Sequence, residues 1–118
     1  MKIFYPIVEY FKSENLIVFD SNKDKSDIYR FLYYHDDCLN KFIKLIDNIK
    51  ENCHNIAKIT LSINNFGLDE VIDVDIASKD YNNNNYNIFD DIEKIREYQR
   101  KNGWRNLFFV YTNCEIIK

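Results

Sequence analysis

Residues 28–34, IYRFLYY, decide the fold. Ile28 is β-branched, and Tyr29, Phe31 and Tyr33 alternate along the run, a composition that predicts a strand. SNKDKSD (21–27) just before it is a polar cluster that reads as a turn, and Leu16 to Phe19 form a brief apolar run before that. The two runs together predict a hairpin. Further upstream, Pro6 suits the first turn of a helix, and Ile7, Val8, Tyr10 and Phe11 share one helical stripe, which predicts a helix over 6–14.

Downstream, Leu39, Phe42, Ile43, Ile46 and Ile49 recur at three- and four-residue spacing behind Asp36 and Asp37, predicting a helix over 36–53. The period then falls to two. Ala57, Ile59, Leu61 and Ile63 alternate with Lys58, Thr60 and Ser62, and Ile72, Val74 and Ile76 alternate with Asp73 and Asp75. A hairpin with one wet face is predicted. Four consecutive Asn within 78–87 mark a loop, Ile88, Ile92 and Ile95 predict a helix stopped by Asn102-Gly103, and 107–112 is strand-like. From residue 28 onward the order is strand, helix, strand, strand, helix, strand. The expected fold class is α+β: a ferredoxin-like βαββαβ core, its antiparallel sheet carrying two helices on one face, preceded by an N-terminal helix and strand.

A chain of 118 residues, 46% hydrophobic and 16% aromatic, has the size and apolar content of one folded domain spanning 1–118. No apolar run approaches the roughly 20 residues of a bilayer span. The N-terminal MKIFYPIVEYF is interrupted by Glu9 and followed by Lys12, which argues against a signal peptide. Three cysteines without CxxC spacing suit a reducing compartment, so free thiols and a cytoplasmic location are expected.

Candidate chemistry is sparse. Cys38 and Cys53 lie near opposite ends of one predicted helix, roughly 20 Å apart at about 1.5 Å per residue, so His35, Cys38, Cys53 and His54 do not converge on one zinc. His35 and Cys38, three apart at a helix start, lack an orienting third group for thiol catalysis. The turn NNFGLDE (64–70) resembles the GGDEF turn of palm-type nucleotide cyclases. That resemblance implies metal-binding acids at the turn and at Asp36 and Asp37 after a first strand, although Asn65-Phe66 stand where the glycine pair would be. A solvated acidic strand face is the simpler reading of Asp73 and Asp75. Nucleic-acid binding through the open sheet would use Tyr29, Phe31 and Tyr33, but Asp73 and Asp75 repel phosphate and only Arg100, Lys101 and Arg105 form a small basic group. No catalytic residue, metal ligand or cofactor is expected, and neither direct nucleic-acid contact nor membrane contact.

Charge is the remaining signal. The net charge is −3, yet residues 1–68 balance nine acids against nine bases, whereas 69–97 hold nine acids against Lys79, Lys94 and Arg96. Asp69, Glu70, Asp73, Asp75, Asp80, Asp90 and Asp91, with Tyr81, Tyr86 and Tyr98 as aromatic anchors, are therefore expected to bind a basic partner. The profile is similar to bacterial immunity proteins of contact-dependent inhibition systems, which implies a small protein-binding inhibitor that neutralises a toxin such as a nuclease. Alternatives are a phage anti-defence inhibitor whose acids imitate nucleic acid, a dimeric small-molecule-binding regulatory domain, and a metal-dependent enzyme at Asp69, Glu70 and Asp73.

Overall fold

In the computed structural model, which describes residues 5–35, 37–65, 69–79 and 87–113, Ser21 starts a helix where the sequence predicts a turn. Its backbone is extended, and its hydroxyl accepts the Asp24 N–H at 3.1 Å while donating to the Asp24 carboxylate at 2.7 Å. This satisfies one of the free donors at the helix start. Ile28, Phe31 and Leu32, at i, i+3 and i+4, are all buried, and Asp27 pairs with Lys23 and Arg30 on the solvent side. Helical burial overrides the strand-like composition. The helix is α2, Asn22–Tyr34.

This overturns the expected strand over 28–34, and with it the expected βαββαβ order and wholly antiparallel sheet. The chain runs α1 (Tyr5–Ser13), β1 (Ile17–Phe19), α2, α3 (Cys38–Asn52), β2 (Ile56–Asn64), β3 (Val71–Ser78), α4 (Ile88–Asn102) and β4 (Phe108–Tyr111). The fold is mixed α+β, with one four-stranded sheet in the order β1-β2-β3-β4. The outer pairs are parallel and the central pair is antiparallel. Strand β1 does not pair with residues 28–34 but with Ile59, Thr60 and Leu61 of β2. The elements expected at 6–14, 36–53, 56–63, 72–76 and 88–101 are found, and Gly103 stops α4 in the left-handed conformation at φ 73°.

The helices lie on one face of the sheet. Ile59 and Leu61 of β2, Ile72, Val74 and Ile76 of β3, and Phe108 and Val110 of β4 are buried beneath them, and α3 packs between α2 and α4. Both parallel connections thus cross the same face while the two strand pairs point in opposite directions. Geometry then requires the crossovers to differ in hand, so one of them departs from the right-handed rule obeyed in about 98% of such units.

Two side-chain devices finish the sheet. Beyond the three residues of β1, the Ile63 N–H of β2 is met by the Asp24 carboxylate at 3.0 Å, which continues the line of bonds Ile59 N–H to Leu16 C=O and Asp20 N–H to Leu61 C=O. At the opposite edge, Gln99 donates to the Phe108 carbonyl at 2.9 Å and Arg96 donates twice to the Val110 carbonyl, at 3.2 and 3.0 Å. Asp24→Ala removes the Ile63 partner and the acceptor of the Ser21 hydroxyl together, while the backbone N–H that the Ser21 oxygen caps stays in place. A loss of about 1–3 kcal/mol in urea unfolding is expected; a loss no larger than that of an exposed helix substitution would show that the carboxylate is only a surface group.

Candidate functional site

Alternation along the strands decides what the helix-free face presents. The register aligns Val18, Thr60, Asp75 and Tyr111 in one row across the sheet, and Ser62, Asp73 and Phe109 in the next. Ile59, Leu61, Ile72, Val74, Ile76, Phe108 and Val110 between them are buried, and Ile17 and Phe19 on either side of Val18 are half-buried, so these side chains point the other way. Phe109 is 50% exposed and Val18 is 42% exposed. The Phe109 and Tyr111 rings stack at 5.3 Å, and the Arg96 guanidinium lies 5.5 Å from the Phe109 centroid after bonding the edge carbonyl of β4. The wet face is thus an aromatic centre held by a cation from α4.

Carboxylates surround that centre. Burial pushes the Tyr111 hydroxyl above its ordinary range, and the negative charges of Asp75, Asp73 and Asp20 add to the shift. Burial also raises Asp73, opposed by a hydrogen bond from Asn64 at 3.0 Å; its other oxygen is buried without a hydrogen-bond partner. Asp75 accepts the Asn113 N–H at 3.0 Å. Neither β3 carboxylate is merely solvated, so replacing them by Lys would disturb local bonds that a plain wet-face reading overlooks.

The other expected binding residues do not join this group. Glu70 has the parity of the buried strand positions and lines a small recess with Asp27, Arg30, Phe31, Tyr34 and His35 at the end of α2. Asp69 is exposed at the end of the hairpin and Asp90 is exposed in the first turn of α4. Asp91 faces inward, 9% exposed, close enough to Cys53 to raise its thiol. Along α4, Asp91 meets Lys94 at 3.8 Å, Glu93 meets Arg96 at 3.2 Å, and Glu97 pairs with Arg100. Charges dense in sequence are therefore split between two sides and partly neutralised. Tyr98 is half-buried on α4, edge-on to Trp104 at 5.6 Å. Asp80, Tyr81 and Tyr86 lie outside the described residues.

Phe109, Tyr111 and Asp20 are the site residues that sequence reasoning missed. The strand-like run 107–112 carried a signal for the first two, since alternation there puts Phe109 and Tyr111 opposite Phe108 and Val110. A second exposed aromatic group, Tyr5, Tyr33 and Tyr34, sits on α1 and the end of α2.

Burial pushes the Cys38 thiol up to about 12, with Lys41 opposing and Asp37 adding, so it is protonated at neutral pH rather than a nucleophile. His35 folds back onto its own helix, its ring 3.9 Å from that of Phe31 and its Nδ1 3.0 Å from the Phe31 carbonyl. Cys38 and Cys53 are free and buried, and Cys114 lies outside the described residues. Among the described residues no three His, Cys, Asp or Glu side chains are grouped to hold a metal ion, and no helix is long and apolar enough to cross a membrane. The palm-type arrangement required a first strand ending at Asp36 and Asp37; residues 22–34 form α2 instead. Asp36 lies outside the described residues, and Asp37 caps α3 in a left-handed conformation at φ 55°. No protein-family model matches this sequence, and no curated protein and no solved structure matches it.

Proposed function

We propose that this protein is a small binding inhibitor of the toxin-immunity kind, which neutralises a basic partner protein by covering it with the helix-free face of its sheet. The observation that carries the reading is the register of β3 on β4, which sets Asp75 beside Tyr111 and Asp73 beside the half-exposed Phe109 on the helix-free face. A desolvatable aromatic centre with an acidic border matches a basic surface in two ways. The acids accelerate encounter with a positive partner, and the aromatics supply the few contacts on which lifetime depends. Imitation of nucleic acid is less well supported, because it needs regularly spaced free acids, whereas Asp91, Glu93 and Glu97 each have a cation within 4.0 Å.

The partner is to be sought by pull-down, first against the product of the neighbouring gene. With it in hand, Asp20→Lys should slow association and flatten the salt dependence, since Asp20 is exposed. Phe109→Ala should instead speed dissociation, by about 1–3 kcal/mol. Asp90→Lys at the start of α4 is the control. A partner that ignores Asp20 and Phe109 but is lost with Asp90→Lys or with Tyr34→Ala would place the interface on the helices and end this assignment.

A further inference from the structure

The open face has a recess at its β2–β3 turn end, a cavity of about 240 Å³ lined by Asn64, Val71, Asp73, Arg105 and Phe109. Its walls are apolar, from Val71 and the Phe109 ring, and it holds one group of each charge. Asp73 keeps one carboxylate oxygen buried and unpartnered. Arg105 is exposed and has no ion-pair partner among the described residues. Opposite charges in one small cavity ordinarily pair with each other. Here they line the same recess without an ion pair between them.

We propose that this recess binds a small zwitterion of the free α-amino-acid type, its ammonium beside the Asp73 carboxylate, its carboxylate on the Arg105 guanidinium and its apolar side chain against Phe109 and Val71. Each group answers a feature already present. A carboxylate with one oxygen buried and lacking a partner carries a desolvation cost that a neighbouring ammonium offsets. Arg presents the planar fork that receives a carboxylate in two parallel bonds. The size is also restrictive, because about 240 Å³ lies below the roughly 300–1,000 Å³ of sites for drug-sized ligands, so only a few heavy atoms fit. The inference does not depend on the protein-binding reading, since it concerns the free protein and one corner of the face.

The test is a thermal-shift and NMR titration of the purified chain with valine, leucine and methionine, beside the matching amines, the matching carboxylic acids and N-acetyl amino-acid amides. The zwitterions are expected to raise Tm by at least about 4 °C at a hundredfold excess over Kd, and to move the amide signals of Asn64, Val71, Asp73 and Phe109. The amines, acids and capped amides should bind at least tenfold more weakly. Arg105→Gln should abolish the response while leaving the ligand-free Tm unchanged, because the side chain is exposed; Asp73→Asn should abolish it as well. Binding of an amine as tight as that of its amino acid would overturn the proposal in favour of a simple cation site. So would a ligand-free Tm lowered by Arg105→Gln, since the guanidinium would then be serving Asp73 itself. No response to any zwitterion would refute it outright.

Discussion

Phe42→Ala should lower the unfolding free energy by about 3–5 kcal/mol, the range for a large aromatic removed from a filled core, and lower Tm by more than about 10 °C. Phe42 projects from α3 with no exposed surface and joins parts of the chain that are distant in sequence. Its ring lies 6.1 Å from Tyr10 and 5.8 Å from Phe11 of α1, and 5.7 Å from Phe108 of β4. Truncation would separate the N-terminal helix from the last strand, and two helices and a sheet have little freedom to close the gap. Tyr34→Ala, at a residue 72% exposed, should change stability by no more than about 0.5 kcal/mol. If urea unfolding gave Phe42→Ala a loss under about 1 kcal/mol, α3 would not be seated on the sheet through this residue.

A second large effect is expected in alkali. Burial holds the Cys38 and Cys53 thiols at about 12, whereas in the unfolded chain they ionise near 9. Between those values the unfolded chain sheds protons that the folded chain retains. The stability linked to the two protonated thiols is therefore complete below pH 9 and is lost as pH rises toward 12, by at most about 1.4 kcal/mol per pH unit for each thiol. The Tyr10 hydroxyl, raised by burial and then by Glu14 and Asp47, acts in the same direction from about 10 upward. Unfolding under reducing conditions at pH 8, 9.5, 10.5 and 11 should thus show a falling stability that is distinctly shallower in the double variant Cys38→Ala and Cys53→Ala. Equal slopes would mean that the thiols are reached by water in the folded state.

The elements that sequence periodicity identified were those whose apolar spacing had a single meaning. Leu39 to Ile49 repeat only as a helix, and Ile72, Val74 and Ile76 repeat only as a strand with one wet side. The run 28–34 had two meanings, because Ile28, Phe31 and Leu32 fit a helix while Tyr29, Phe31 and Tyr33 fit a strand. The signal that separates them is local: Ser21 and Asp24 form a reciprocal cap. A turn at 21–27 implies that β1 pairs with the next segment, whereas β1 finds its partner in β2, across two helices. Part of the site was legible by parity, which put Asp73 and Asp75 on the wet side. The pairing of Asp75 with Tyr111 was not, because it joins β3 to β4, two strands separated in the chain by the whole of α4.

The bonds from Gln99 and Arg96 to the carbonyls of β4 bear on how this chain behaves in a crowd. A bare outer strand is a template onto which another molecule can add its own, the first step toward fibrous aggregates. In this chain the outward carbonyls of Phe108 and Val110 are already occupied by side chains of a neighbouring helix. Solubility at that border therefore depends on α4 staying docked. Any lesion that frees α4, even one leaving the remaining core folded, would uncover an aromatic strand able to recruit copies of itself, so precipitation would precede loss of secondary structure.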